Sequence, residues 1–436
     1  MEIRPFKAYR FDADVVGRSE DCIAPPYDVI NSEQQQELYR KNKYNIVRII
    51  KGKTEPADSP QSNTYTRAAD YLNSWINEGA LKQDAKPSIY AYVQDFELAG
   101  AWFKRLSFVA QMKLEEFGSV VRPHEQTLLG PKQDRLELLR TTKARFGLVF
   151  MLYEDRRQAA EKIIEEIMHS KALIDTTDEY HVRHRLYAVN RQEDINAIVE
   201  MMKNKSCIIA DGHHRYETGL IYAKQSDNPQ ACYQVTAFTN TVHEGLVVLA
   251  THRVINNLEK FDLEVFLKQL EEYFVIEKYP FDSEESAKKA KHKMLAKMRA
   301  AYSCDENAFG LYGGKNAFYT VILREQNIMK KLAAKMSSAW RKLDVAVLSK
   351  LIFEEILGID EQKVAQGNHI EYVKDSGNSV KELVKLVDGG QKQAVFFMNP
   401  PKIKQIQDVA DAGEKMPQKS TYFYPKVYSG LVIDKI

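Results

Sequence analysis

Near the middle of the 436-residue chain lies the sequence Cys207-Ile208-Ile209-Ala210-Asp211-Gly212-His213-His214-Arg215. Its first four residues are apolar and predict a short buried strand, whereas the apolar residues that follow Arg215 recur at helical spacing. Residues 211–215 are therefore predicted to form a strand-to-helix turn. A glycine there lets the backbone approach a ligand closely, and the helix N-terminus favours an anion.

The side chains of this turn indicate a phosphate site. Arg215 offers a planar guanidinium group that suits phosphate oxygens, His213 and His214 add hydrogen-bond donors, and Asp211 can hold a divalent cation that bridges phosphates. In the alternative interpretation, Asp211 only caps the helix, Gly212 makes the turn, and the next three side chains face solvent. Two adjacent histidines and an arginine add nothing to a plain cap. We therefore favour phosphate binding by Gly212, His213, His214 and Arg215, with Asp211 as metal ligand and with Asp211 and His213 taking part in catalysis.

Composition describes an ordinary soluble protein of two or three domains. The hydrophobic fraction is 44% and the charged fraction 28%, and the length exceeds that of a single ordinary core. A formal net charge of +2 gives no broad basic field and argues against binding to bulk nucleic acid. No apolar run approaches the length of a membrane span, and the first residues lack an apolar signal core, so we expect a cytoplasmic protein. The four cysteines lie far apart, which argues against disulfides or a cysteine zinc site.

The secondary-structure pattern is mixed, which favours the α+β class over regular βαβ winding. Ile89–Leu98 and Trp102–Leu114 predict a hairpin with an Ala-Gly turn, and Phe309–Leu323 predicts a second hairpin that turns at Gly313-Gly314. Ile46–Ile50 predicts a strand. Among the predicted helices, one begins near Ser32 as its N-cap and one covers Leu263–Phe274.

We place a first, site-bearing domain at residues 1–255 and a second α+β domain at residues 256–415. The remaining tail, residues 416–436, carries a motif that is expected to return to the site of the first domain.

Several strings carry a family resemblance. Ile209–Glu217 resembles the nucleotide-binding signature of the ParB/sulfiredoxin superfamily, and especially of its free-serine-kinase branch. Nearly the whole chain resembles a bacterial family known as domain of unknown function number ten-fifteen. The strings that carry this second resemblance are Ala24–Val29, Arg122–Thr127, Gly130–Arg135, Thr251–Arg253 and Lys419–Lys426.

The resemblance implies a ParB/sulfiredoxin-like nucleotide-binding core of mixed strands and helices with a second α/β domain. It also implies a phosphotransferase that moves phosphate from ATP or ADP, with Mg²⁺, to a small hydroxyl-bearing metabolite such as free serine. The superfamily's serine kinases use a glutamate upstream of the histidine cluster to engage the substrate hydroxyl, which implies that Glu125 is the base. In the alternative, Glu125 forms a structural ion pair with Arg122 or Arg135.

Two other functions stay open. A ParB-like protein would bind or hydrolyse a nucleotide as a conformational switch or as a DNA-associated module, although the near-neutral charge and the lack of an evident helix-turn-helix argue against DNA. An inactive scaffold would retain only the fold. Sulfiredoxin chemistry is disfavoured because the cluster contains no cysteine.

Further candidates come from the remaining strings. Lys132 and Arg135 could form a second anion-binding wall or a solvated helix start. Asp28 could hold a substrate amino group or cap the following helix. Candidates of lower rank are His124, His252, Arg253, Lys419 and Lys426. The string Lys419–Lys426 could line a polar cleft, or it could form a strand with Tyr422 and Tyr424 on one face and Phe423 on the other.

Overall fold

The computed structural model describes residues 1–125, 129–365, 367–375, 377 and 379–436. Gln126 and Thr127, which belong to one of the family strings, lie outside this part of the chain. The protein folds as two compact units. The first unit consists of Met1–Pro123, Thr127–Val247 and Pro425–Ile436, and the second of His124–Gln126 and Val248–Tyr424. The two ends of the chain thus belong to the same unit.

The strands of the first unit are β1 (Ile3–Arg4), β2 (Tyr9–Phe11), β3 (Leu81–Gln83), β4 (Ile89–Leu98), β5 (Ala101–Lys113), β6 (Val121–Pro123), β7 (Ala144–Arg145), β8 (Val149–Tyr153), β9 (Ile174–Thr177), β10 (Arg183–Val189), β11 (Cys207–Asp211), β12 (Tyr233–Asn240) and β21 (Asp434–Lys435). Its helices are α1 (Ala13–Val16), α2 (Ser32–Lys41), α3 (Val47–Ile50), α4 (Thr64–Asn77), α5 (Leu129–Thr142), α6 (Ala159–Ile167), α7 (Gln192–Met202) and α8 (His213–Gln225), with 3₁₀ turns at Ser19–Cys22 and Pro229–Cys232.

A nine-stranded mixed sheet forms the centre of the first unit. Its strand order is β6-β11-β8-β12-β5-β4-β10-β9, and β1 adds to β5. The pairs β6–β11 and β8–β12 are parallel, whereas the other neighbouring pairs are antiparallel. The predicted hairpin β4–β5 is confirmed. Its two turn residues, Ala99 and Gly100, both have positive φ, as a tight two-residue hairpin requires.

The two faces of this sheet differ in chemistry. One face is apolar and packs against α6 and α7 through residues such as Val93, Phe108 and Ile198. The other face carries buried polar side chains in register, because Gln94 of β4 lies opposite both Arg105 of β5 and His184 of β10. Side chains alternate between the faces along each strand, so one strand can serve both an apolar core and a polar layer.

The last residues of the chain cover the polar face. Arg105 Nη2 donates to the Pro425 carbonyl over 2.6 Å, Gln94 Nε2 to the Lys426 carbonyl over 3.0 Å, and Gln111 Nε2 to the Asp434 carboxylate over 2.8 Å. Buried polar groups need such partners to offset their desolvation. The tail is therefore part of the interior of the first unit.

The second unit contains β13 (Val247–Leu249), which begins at the last residue of the first unit, β14 (Thr251–Ile255), β15 (Phe274–Pro280), β16 (Ala308–Tyr312), β17 (Ala317–Leu323), β18 (Ile370–Lys374), β19 (Ala394–Phe397) and β20 (Tyr422–Tyr424). Its helices are α9 (Leu263–Leu270), α10 (Glu284–Ser303), α11 (Asn327–Leu332), α12 (Ser338–Arg341), α13 (Asp344–Val347), α14 (Glu361–Ala365), α15 (Ser379–Asp388) and α16 (Ile403–Asp411), with a π-helical segment at Leu348–Ile356.

An antiparallel sheet of six strands, in the order β15-β17-β16-β19-β14-β18, organises the second unit. Met294 and Met298 of α10 and Leu383 of α15 pack with Phe397 of β19 in its core. The predicted hairpin β16–β17 is confirmed, with Gly313 and Gly314 in its turn. No helix in the described part of the chain combines the length and the apolar character that a membrane span needs.

Three local predictions are wrong. Residues 46–50 contain helix α3 rather than a strand. The β-branched residues Val47, Ile49 and Ile50 are all buried. Because this short helix has few polar positions, its sequence shows no helical period and resembles that of a buried strand. The N-cap of α2 is Asn31, whose side chain accepts from the Gln34 backbone, and Ser32 is the first helical residue. Helix α9 ends at Leu270, and the predicted continuation to residue 274 enters strand β15.

The apolar face of the first unit should dominate the stability of that unit. Phe238 is fully buried and stacks on Phe108 with ring centroids 5.0 Å apart. Replacing Phe238 with alanine should lower the free energy of unfolding by about 3–5 kcal/mol, measured by urea denaturation. The control Trp102→Ala, at a side chain that is 70% exposed, should change it by less than about 0.5 kcal/mol. A Phe238→Ala effect as small as that of the control would contradict this assignment.

Candidate functional site

Strand β11 and helix α8 meet at Gly212, as the sequence predicts. Asp211 is the last residue of β11, and Gly212 occupies the N-cap position of α8 with φ +87°. This left-handed conformation favours glycine. A Cβ atom at Gly212 would also approach the Arg215 guanidinium to 3.0–3.1 Å. Gly212, and not Asp211, therefore stands at the cap position, and its missing side chain leaves room for Arg215.

The Asp211 carboxylate lies between two cations of the first unit. Lys426 Nζ is 3.2 Å from Asp211 Oδ2, and Arg215 Nη2 is 3.6 Å from the same oxygen. The three side chains are only 13–19% exposed. Burial by itself raises the pKa of Asp211, but the positive charges of Lys426 and Arg215 outweigh burial and hold that pKa well below its usual range. Asp211 is therefore ionised at neutral pH.

Arg105 is a third cation that interacts electrostatically with Asp211. Its guanidinium is fully buried and stands 4.8 Å from the ring centroid of Phe150, the residue that pairs with Asp211 across β8 and β11. Burial lowers the pKa of Arg105 to about 10, although the Tyr92 and Asp211 charges oppose that shift. Arg105, Arg215 and Lys426 thus bring three positive charges toward one carboxylate, and such an excess favours an anionic ligand.

Sequence reasoning missed Arg105 and Gln94. The signal that could have found them is alternation: Gln94 follows the apolar Val93, and Arg105 precedes the apolar Leu106, inside long hairpin strands. A polar residue at every second position of a buried strand indicates a polar layer on one face of the sheet.

The other predicted phosphate ligands of the first unit have partners of their own. Lys132 forms an ion pair with Glu217 of α8. Arg135 donates to Asp134 over 2.7 Å and to the Ile50 carbonyl over 2.9 Å. These contacts engage the side chains of Lys132 and Arg135 with groups of the protein itself.

The remaining predicted residues of the first unit differ in their placement. His213 and His214 are half-buried in the first turn of α8, and the charge of His213 contributes to the lowered pKa of Asp211. Asp28 is exposed in a turn. The interpretation of Asp28 as the cap of α2 is wrong, because Asn31 has that role.

Five further candidates belong to the second unit: His124, Glu125, His252, Arg253 and Lys419. Glu125 Oε1 accepts from the Lys419 backbone N–H over 2.6 Å, and Arg253 Nη2 donates to the Lys419 carbonyl over 3.0 Å. His124 Nε2 is 2.8 Å from the Thr421 hydroxyl. Three family strings thus meet in this unit. The role of Glu125 as a base stays a prediction.

The tail string itself has two parts. Tyr422, Phe423 and Tyr424 form strand β20, in which Phe423 is buried and both tyrosines are half-buried, as the strand interpretation predicts. Lys419 has φ +56° and an exposed side chain. Its backbone carbonyl and N–H form the hydrogen bonds to Arg253 and Glu125.

A metal at Asp211 would need ligands from elsewhere. Among the described residues, no group of three or more histidine, cysteine, aspartate or glutamate side chains could hold a metal ion. Asp211 Oδ2 is already shared by two cations. Since Mg²⁺ is commonly held by one or two carboxylates together with substrate phosphates, the described residues do not form a magnesium site without a phosphate ligand.

The conformation of Gly212 gives a first test of the site. Gly212→Ala should lower the free energy of unfolding by about 1–2 kcal/mol, because an alanine is strained at positive φ, and it should also displace Arg215. Gly118→Ala is the matched control, since a Cβ there meets nothing within 4 Å and its φ is not positive. Thermal denaturation of both variants checks the difference, and equal midpoints would contradict it.

His252 should make the stability of the protein depend on pH. Its ring is 2% exposed, its Nδ1 accepts from the Met398 N–H over 3.2 Å, and burial lowers the pKa of His252 to about 4. The unfolded chain then binds more protons between pH 6.5 and 4, so the free energy of unfolding falls as the pH drops through that window. His252→Asn keeps an acceptor for Met398 and should flatten this fall.

The control for that experiment is His292→Asn, at an exposed position on α10. It should leave the pH dependence of the denaturation midpoint as in the parent protein. If His252→Asn and the parent lost stability in parallel from pH 6.5 to 4, His252 would not titrate in this way.

Comparison with known proteins identifies a family for this chain. No curated protein matches the sequence. A solved structure of free serine kinase in complex with AMP is 16% identical, with a TM-score of 0.32 and coverage of 70% of this chain and 83% of that chain. C-terminally truncated SbnI from Staphylococcus aureus is 10% identical, with a TM-score of 0.35 and coverage of 75% and 87%. A conserved hypothetical protein from Pyrococcus furiosus is 14% identical, with a TM-score of 0.31 and coverage of 72% and 95%.

The family model spans residues 3–346 and therefore most of the chain. The chain belongs to the family described as "Protein of unknown function (DUF1015)", as its sequence strings predict.

Proposed function

We propose that the first unit binds the phosphate groups of a nucleotide at the N-terminus of α8, and that the protein transfers phosphate from ATP or ADP to a small hydroxyl compound such as free serine. The observation that carries this proposal is the Asp211 carboxylate held between Arg215 and Lys426 next to Gly212. The string Ile209–Glu217 supports a ParB/sulfiredoxin-like character for this core.

Charge supports phosphate as the ligand. The cluster places Arg105, Arg215 and Lys426 near one carboxylate, in a partly buried setting where charge is screened less than at the surface. The positive end of the α8 dipole adds to this field. Arginine forks and lysine ammonium groups both bind phosphate oxygens well, arginine with the more specific geometry. A polyphosphate would neutralise the excess.

The roles of the residues follow from what phosphoryl transfer requires. That reaction depends mainly on positioning and on stabilising negative charge, which Arg215 and Lys426 can supply. A carboxylate whose pKa is strongly lowered is a weak base, so we assign Asp211 to orienting the two cations. The resemblance alone proposes Glu125 as the acceptor of the hydroxyl proton. Mg²⁺ in this proposal enters with the phosphate oxygens of the nucleotide.

The binding step has a direct test. ATP, ADP, CTP and GTP, each with and without Mg²⁺, should be compared for the rise in thermal midpoint that a ligand of the folded state causes. Arg215→Ala and Lys426→Met should each weaken binding about 10–100-fold, the value of one charged hydrogen bond. Arg156→Ala, at a side chain that is 87% exposed, should leave binding unchanged. Absence of any shift with all four nucleotides would refute the proposal.

The transfer step needs a separate measurement. Protein, the nucleotide that binds best, Mg²⁺ and free serine should be followed by ³¹P NMR for a new phosphate monoester signal. We expect that signal to disappear with Asp211→Asn, because Arg215 and Lys426 lose their shared anchor. Nucleotide binding without transfer to any hydroxyl acceptor would favour the ParB-like switch over the phosphotransferase.

A further inference from the structure

A partly open cavity of about 60 Å³ lies in the first unit beside Arg215. Helices α5 and α8 form part of its wall. The other lining residues are Tyr27, Ile50, residues 144–147, Gln234 of β12 and Ser429 of the tail. Arg135 and Arg215, two of the phosphate ligands predicted from the sequence, line the cavity, and so does Arg145.

The charged residues that line the cavity are all positive. Three arginines, Arg135, Arg145 and Arg215, line the cavity, and none of the described lining residues is an aspartate or glutamate. The carboxylates that face these arginines, Asp134 and Asp434 among them, are not part of the lining. The space itself is therefore bordered by cations and by neutral groups.

Arg145 leaves one donor group without an acceptor. Its side chain is 3% exposed, Nε donates to Gln234 over 3.1 Å, and Nη2 donates to the Ala231 carbonyl over 2.9 Å. Among the residues that the structure describes, Nη1 has no hydrogen-bond acceptor, and the nearest carboxylate oxygen, Asp434 Oδ2 at 3.6 Å, is also without a hydrogen-bond partner. Arg145 lines the cavity, so an oxyanion there would lie against a guanidinium whose buried donors are not all satisfied.

The volume of the cavity indicates the size of the group that it can hold. Water occupies roughly 30 Å³ per molecule in the liquid, and benzene fills an engineered cavity of roughly 150 Å³. A space of about 60 Å³ therefore admits a group of a few heavy atoms. Among small groups, the arginines select a tetrahedral oxyanion.

We propose that this cavity binds one phosphate group, through the guanidinium groups of Arg145 and Arg215 and the hydroxyl of Ser429. The proposal rests on the proposed function only in that Arg215 also contacts Asp211. The phosphate is either free inorganic phosphate or the terminal phosphoryl group of a nucleotide. Both sources would present the same phosphate oxygens to the lining residues. They differ in whether ADP competes with inorganic phosphate for the cavity.

The test uses the full-length protein and inorganic phosphate as the probe, with affinity measured by isothermal titration calorimetry in chloride buffer. Arg145→Lys removes the guanidinium fork and Leu138→Phe adds bulk to the cavity, and both should weaken phosphate binding at least tenfold. Leu136→Phe is the matched control, because Leu136 is equally buried on the same helix but does not line the cavity. Arg185→Lys, at an arginine paired with Asp95 over 2.5 Å, controls for the loss of a guanidinium.

Competition identifies the source. If ADP displaces inorganic phosphate and AMP does not, the cavity takes the terminal phosphoryl group. If phosphate binds equally well in the presence of saturating ADP, the cavity is a site for free phosphate. Either result supports the proposal, and phosphate binding in the absence of nucleotide binding would overturn the proposed function alone.

The proposal itself fails if phosphate does not bind, or if Arg145→Lys and Leu138→Phe bind phosphate like their controls. Ser429→Ala provides a milder variant if either of these unfolds, since it removes only one hydroxyl. It should weaken phosphate binding severalfold with an unchanged thermal midpoint in the absence of phosphate. An unchanged affinity in folded Ser429→Ala would remove Ser429 from the site and contradict the proposal.

Discussion

The ion pair of Lys426 with Asp211 fixes the site, because it joins the end of the chain to the strand that leads into α8. The contact depends on the path of the tail. Arg105 and Gln94 hold the carbonyls of Pro425 and Lys426 from the polar face of the sheet. Buried hydrogen bonds to the backbone at residues 425 and 426 thus hold Lys426 in place beside Asp211.

Burying these charged groups costs free energy, and that cost indicates a functional role for them. A fully buried guanidinium such as that of Arg105 loses its hydration, and hydrogen bonds to neutral carbonyl oxygens return only part of that free energy. An apolar residue at position 105 would pack without the cost of a buried charge. Where a fold places cations close together with few carboxylates, the missing negative charge is normally supplied by a ligand. The same reasoning applies to Arg145, whose charge lies beside a cavity.

Local features of the sequence were sufficient to place the turn at residues 211–215 and both hairpins. Each depends on neighbours in sequence: an apolar run followed by glycine, or two strands around a short turn. The strand prediction at residues 46–50 failed because α3 is one helical turn that is buried on several sides, so no period distinguishes it from a strand. The partners of Asp211 could not be found in this way. Lys426 lies 215 positions further along the chain, and only the tertiary path of the tail brings it back.

The family strings divide between two structural tasks. Those that contain Asp211 and Arg135, together with Lys426 at the end of the tail string, belong to the first unit, where they place cations near a helix N-terminus and a cavity. Those around Glu125, Arg253 and Lys419 belong to the second unit, where Glu125 and Arg253 hold the two backbone polar groups of Lys419. Lys419 adopts a left-handed conformation that costs free energy for a residue with a side chain, so these contacts also serve to stabilise a strained turn. A string that recurs in a family can therefore mark a strained backbone as readily as a reacting group, and only the contacts of each residue distinguish the two.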